Sequence, residues 1–227
     1  MDFNTVIEFG KEKSSFYLVD SSTDGSFFIH YILSHSIRSN VKTIFVTLSQ
    51  TLGHYKGVQA KLGNSTSLST SLSERSLVHY DLLSKISQAY VEGKSDQIKI
   101  FDDLVDKVAA VVQQKDEDFI LIIDDLCLAC LNGVSEKALF GFLAKIQSLS
   151  DKLCLVVYAQ SMLATRDFIN DLIYMSDLYF KIENLSTGYS KEIDGQMSVF
   201  RMNEDLNLRP QKYLYKVNER NVKLFQI

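Results

Sequence analysis

Phe119-Ile120-Leu121-Ile122-Ile123-Asp124-Asp125 is the stretch that decides the fold class. Five consecutive apolar residues leave the segment no polar face. A strand of that kind must be covered on both sides, as a central parallel strand is by the helices of an α/β fold. The two aspartates mark the end where it emerges. An apolar strand closing on a carboxylate resembles a Walker B strand, whose acid holds Mg²⁺ through water. A buried parallel strand that turns polar at its C-terminal end reads the same way, and the motif alone does not separate the two.

The flanking sequence repeats the alternation. Downstream, Ser135–Leu149 predicts a helix with Ser135 as its cap, Leu153–Tyr158 a second all-apolar strand, Thr165–Met175 a helix and Leu178–Ile182 a strand. Upstream, Ile98, Phe101, Leu104, Val105, Val108, Val111 and Val112 carry the spacing of an amphipathic helix. Leu77–Tyr80 and Lys42–Leu48 read as strands, and Tyr55–Leu62 as a short helix stopped by Gly63. Asn64–Ser76 is almost all Ser, Thr and Leu, and its composition predicts a disordered surface loop. Phe16–Asp20 reads as the first strand, Ser21–Asp24 as a turn in which Thr23 or Asp24 caps a helix, and Ser26–Ile37 as that helix. The pattern changes near the C-terminus. Tyr189–Phe200 resembles a hairpin about Asp194-Gly195, and Tyr213–Val217 with Val222–Ile227 a second about Asn218–Asn221. The expected architecture is one α/β domain over residues 1–227. Its mostly parallel sheet carries helices on both faces, and residues 185–227 extend it with antiparallel hairpins.

Strand Phe16–Asp20 and the turn after it occupy the place of a P-loop, G-x-x-x-x-G-K-[ST]. With Gly25 as the second glycine, the first glycine position is Asp20, the lysine position Ser26 and the hydroxyl position Phe27. The cation and the Mg²⁺-holding hydroxyl are gone, and Asp20 and Asp24 place negative charge where a polyphosphate would sit. Taken alone, this is an ordinary strand, turn and helix. Beside Asp124-Asp125 it reads as a degenerate phosphate loop facing a degenerate Walker B carboxylate.

Other chemistry is not spelled out. Cys127-Leu128-Ala129-Cys130 has redox or zinc spacing, but its apolar neighbours predict packed core thiols. His30, His35, His54 and His79 form no spaced ligand set, and Asp102-Asp103 and Asp116-Glu117-Asp118 read as solvated faces. No catalytic residue, metal or cofactor is expected. A formal net charge of -4 argues against a self-sufficient nucleic-acid binder, though not against a shared or local site. Met1-Asp2-Phe3-Asn4 does not open a signal peptide, no apolar run is long enough to span a membrane, and three cysteines suit a reducing compartment. The expected location is cytosolic or nuclear.

Several short segments together resemble the Elongator complex protein 6 family. They are Thr23-Asp24-Gly25-Ser26-Phe27, His54-Tyr55 with Lys61-Leu62-Gly63, Ile123-Asp124-Asp125-Leu126, Ser186-Thr187-Gly188-Tyr189 with Asp194-Gly195-Gln196, and Tyr215-Lys216-Val217 with Val222-Lys223-Leu224-Phe225. They fall in the family's order along nearly the whole chain. The resemblance implies a RecA-like fold without intact Walker motifs. It implies a heterohexameric ring with Elongator proteins 4 and 5 that binds tRNA and docks on the catalytic subcomplex, which modifies the wobble uridine. It carries over no catalytic residue. In such a ring the loops after central strands tend to face the pore. Arg166, after strand Leu153–Tyr158, is the first candidate for a phosphate contact, and Lys191, near the first hairpin, the second. Two readings outside the family stay open: an NTPase with an unconventional phosphate loop, and a free-standing binding or redox protein using Cys127 and Cys130.

Overall fold

A computed structural model describes residues 15–93, 97–113, 117–202 and 210–227. The elements run β1 (Phe16–Ser21), α1 (Phe27–Arg38), β2 (Lys42–Thr47), α2 (Leu52–Lys61), α3 (Ser65–Ser73), β3 (Leu77–Asp81), α4 (Leu82–Val91), α5 (Gln97–Val112), β4 (Phe119–Ile123), α6 (Cys127–Leu131), α7 (Glu136–Gln147), β5 (Leu153–Gln160), a short 3₁₀ turn (Ser161–Leu163), α8 (Arg166–Met175), β6 (Leu178–Glu183), β7 (Gly195–Arg201), β8 (Gln211–Val217) and β9 (Val222–Gln226). The strands form a nine-stranded sheet in the order β3-β2-β4-β5-β1-β6-β7-β8-β9. Every pairing from β3 to β6 is parallel, and those of β7, β8 and β9 are antiparallel.

The period-two alternation of side chains divides the central strands between two cores. Phe119, Leu121 and Ile123 pack on one face with Phe101, Leu104 and Val108 of α5 and Leu139 and Leu143 of α7. Ile120 and Ile122 pack on the other with Phe28, Ile29, Ile32 and Leu33 of α1. The absence of a polar face on β4 thus has its physical cause in cover from both sides. β5 repeats it, with Leu155 and Val157 against Cys154, Val156 and Tyr158.

The sequence reading is corrected at two points and extended at a third. The Ser-rich stretch from Asn64 to Ser76 is not a loop: most of it is helix α3. Leu68, 1% exposed, and Leu72 lie four residues apart and pack on the α1 side of the sheet. Asn64 fixes the start, donating through Nδ2 to Ser34 Oγ at 2.6 Å and Gln59 Oε1 at 2.7 Å while Oδ1 accepts from Arg38 Nε at 2.8 Å. Tertiary burial of one apolar stripe outweighs weak local propensity. Second, 189–200 is not a hairpin. Gly195 opens β7, which pairs with β6, and 184–194 is the connection between them. Third, helix α4 directly follows β3 at Asp81 and has no counterpart in the sequence reading, although Leu82 and Ile86 are buried. Of the sequence features named above, Met1–Asn4 and Asp116 lie outside the described residues.

Candidate functional site

The carboxyl ends of β1, β2, β4, β5 and β6 lie along one edge of the parallel sheet, the edge where open α/β folds bind ligands. Asp20, the turn 22–26, Asp124, Asp125 and Gln160 meet at this edge.

In a working P-loop the backbone N–H groups of the turn point at phosphate. Here those of Ser22, Thr23, Gly25 and Ser26 are taken up by the protein itself. Ser22 N–H donates to Ile182 O at 3.1 Å and Thr23 N–H to Ser21 Oγ at 3.3 Å. Gly25 N–H donates to the Tyr158 hydroxyl at 3.2 Å, and Ser26 N–H to Asp24 Oδ1 at 3.0 Å. Neither Thr23 nor Asp24 caps the helix: the N-cap of α1 is Ser26, which makes no side-chain cap bond, and Asp24 only closes the turn before it. Gly25 is required by close packing rather than by a ligand: a Cβ there would lie 2.7 Å from Ser21 Oγ and 3.2 Å from Ile182 Cδ1. Phe27, at the hydroxyl position, is buried with its ring centroid 4.8 Å from that of Tyr215. It is a core residue of the α1 side.

The carboxylates are equally committed. Asp124, 1% exposed, accepts through Oδ1 from Leu48 N–H and from Ser49 N–H at 3.1 Å, and through Oδ2 from the Tyr55 hydroxyl at 2.5 Å. Both oxygens are spent on tying β4 to the β2–α2 connection and to α2. Burial pushes its carboxyl up to about 6 and the Tyr55 phenol far above its usual range. Asp125 has φ 44°, a left-handed conformation that aspartate tolerates better than most residues, and its Oδ1 accepts from Gln160 N–H at 3.2 Å. Burial also raises it to about 6. Asp20 accepts from the Tyr179 hydroxyl at 2.9 Å through Oδ2, while its buried Oδ1 has no hydrogen-bond partner. Burial raises this carboxyl too.

The tyrosines Tyr55, Tyr158 and Tyr179 complete the site, and local sequence gave no sign of their roles. They come from α2, β5 and β6 and reach their partners only through the sheet order. Among the described residues no group of His, Cys, Asp or Glu is placed to hold a metal ion. Cys127 is buried, and burial drives its thiol well above the usual range; Cys130 rises to about 11. Neither has the lowered pKa of a reactive thiol. Arg166 is not in a loop but is the exposed first residue of α8, capped by Thr165, whose Oγ1 accepts from Phe168 N–H at 3.1 Å. Lys191 is exposed in the β6–β7 connection, and its carbonyl accepts from Lys216 Nζ at 2.9 Å. Both cations follow the carboxyl ends of the strands that flank β1.

The mostly parallel sheet, the helices on its two faces and the antiparallel extension define a RecA-like fold. The flagellar accessory protein FlaH of Methanocaldococcus jannaschii has a similar fold, with TM-score 0.68 and 12% identity over 98% of this chain and 94% of that one. A KaiC-like protein of Pyrococcus horikoshii gives 0.66 and 13% over the same shares. The chain belongs to the family described as Elongation complex protein 6, whose model matches residues 3–219. It is 28% identical to Elongator complex protein 6 of Xenopus laevis over 92% of this chain and 88% of that protein. Against the Homo sapiens protein of that name the identity is 25%, over 98% and 93%.

Proposed function

We propose that the chain is a non-catalytic RecA-like subunit of the Elongator complex, seated with Elongator proteins 4 and 5 in a heterohexameric ring. In this reading the ring binds tRNA and supports modification of the wobble uridine by the catalytic subcomplex, in the cytoplasm and nucleus. The observation that carries it is the self-satisfied turn 22–26, in which four N–H groups already have protein acceptors. A phosphate would have to break these bonds with no lysine to compensate, because Ser26 holds that position. Family membership supports this reading of the assembly.

The purified chain alone is expected to hydrolyse ATP at the rate of a buffer control and to co-purify with Elongator proteins 4 and 5 on co-expression. Turnover that follows the chain through purification and vanishes in Asp124→Asn would favour an unconventional NTPase instead. A monomer that ignores both partners would overturn the ring.

Arg166 is the proposed phosphate contact, with Lys191 as the second candidate. Affinity for tRNA arises largely from counterions released at phosphates, so one lost contact flattens the salt dependence by about one unit of slope. Arg166→Glu in the assembled ring should weaken tRNA binding and reduce that slope while native mass stays unchanged. Unaltered affinity in an intact ring would remove Arg166 from the interface.

A further inference from the structure

A second concave surface lies along α1 and includes Phe27 at its start. It is a groove of about 620 Å³ between α1, the end of α2 and the β8–β9 turn. Its apolar lining includes Phe27, Val58, Leu62 and Val222, and its cations are Arg38, Arg220 and Lys223, against the single carboxylate of Glu219. That is a local cationic excess in a chain whose net charge is -4. Among the described residues no carboxylate pairs with Arg220 or Lys223. His30 also lines the groove, and its buried Nδ1 has no hydrogen-bond partner.

The groove reaches a free sheet edge at Val222 and Lys223, the start of β9. β9 is the last strand, and among the described strands only β8 pairs with it. Ile227 N–H donates to Lys212 O at 3.1 Å and Asn218 N–H to Asn221 O at 2.8 Å. These bonds fix which pairs exchange hydrogen bonds: Leu214 with Phe225 and Lys216 with Lys223 fall in the same alternation. The backbone groups of Val222, Leu224 and Gln226 therefore point away from the sheet. Phe225, 45% exposed, and Ile227, 67% exposed, leave further apolar surface on the same edge.

We propose that this edge and groove dock an extended, acidic polypeptide segment of a partner protein, which pairs with β9 and sets its carboxylates against Arg38, Arg220 and Lys223. An open strand edge offers its hydrogen bonds to another polypeptide backbone. A nucleic acid or a small anion could meet the cations but could not continue the ladder. A second copy of this chain, pairing β9 with β9, would bring like cations together across the twofold axis, where they repel. The groove shares only Phe27 with the phosphate-loop position, and the proposal does not depend on ring membership.

The test uses the full chain and a fluorescein-labelled peptide of about ten residues alternating Glu and Val, long enough to pair along a whole strand. Fluorescence anisotropy at low salt should give binding at least about tenfold tighter than for the matching Lys–Val peptide, and weaker as salt rises. Methylating alternate peptide amides should abolish it, a change that leaves the protein untouched. Combining Arg220→Glu with Lys223→Glu should weaken binding about tenfold. Gln226→Pro removes an outward N–H without breaking a bond to β8, and should cost about fivefold where Gln226→Ala costs nothing. Equal binding of the two peptides, or of the methylated peptide, would overturn the proposal. So would a labelled RNA that responds to the charge reversals while the acidic peptide fails to bind, which would assign the groove to nucleic acid.

Discussion

Replacing Asp124 by alanine is expected to cost about 4 kcal/mol of stability and to lower the melting temperature by roughly 10 °C. The side chain is buried, and its two oxygens accept from Leu48 N–H, Ser49 N–H and the Tyr55 hydroxyl. Alanine strands all three donors where water does not reach. Asparagine is expected to cost only about 1 kcal/mol, since its Oδ1 can accept from the two amides while Nδ2 donates to the Tyr55 oxygen. Tyr55→Phe should fall between, at about 2 kcal/mol, and should not add fully to Asp124→Ala because both remove one shared bond. Chemical denaturation followed by circular dichroism checks the series. An alanine variant within about 1 kcal/mol of wild type would mean that the carboxylate is not the clamp its contacts describe.

The same carboxylate carries a pH dependence of definite sign. Asp124 and Asp125 titrate near 6 in the folded chain against 3.8 for a free aspartate, so the folded state holds their protons more tightly. Their contribution is fully present below about pH 4 and is lost as pH rises through 6, so stability gains as pH falls across that window. Asp81 and Asp194, held below their ordinary value, act in the opposite sense, but both are partly solvated and screened. Asp124→Asn should flatten the slope of stability between pH 4 and 6.

The parallel sheet was legible because burial on both faces writes itself as uninterrupted apolar runs at Phe119–Ile123 and Leu153–Tyr158. The turn holding Asp20, Gly25, Ser26 and Phe27 was visible in the sequence between a strand and a helix. The contacts that fill it were not. Tyr158 closes on Gly25 from 133 residues away and Tyr179 on Asp20 from 159, distances at which a single sequence carries no signal. The helix over Ser65–Ser73 was hidden for a related reason. Serine and threonine favour caps and turns, and only the burial of Leu68 and Leu72 against α1 and α2 decides the matter.

Gly195 is where the residue was noticed and its physical reason was not. Asp194-Gly195 has the look of a tight turn, yet Gly195 is a strand residue facing Tyr215 across the β7–β8 ladder. A Cβ there would lie 2.5 Å from both the Glu183 carbonyl oxygen and the Tyr215 hydroxyl. Tyr215 is itself buried and packs on Phe27, which leads α1 over the sheet. The glycine therefore makes room for an aromatic ring that joins the antiparallel extension to the helix following the phosphate-loop turn. Gly195→Ala is expected to cost about 3 kcal/mol and to lower the melting temperature by roughly 8 °C. Shortening the ring in a double variant, Gly195→Ala with Tyr215→Val, should recover only part of this. The tyrosine clash is removed, but the Glu183 carbonyl belongs to the backbone of β6 and cannot step aside. Two outcomes separate this account from a turn requirement. A turn glycine would be replaced by asparagine at little cost, whereas Gly195→Asn should be at least as damaging as alanine. A melting temperature for Gly195→Ala within about 2 °C of wild type would show that β7 and β8 yield enough to admit a side chain, and would remove the steric argument.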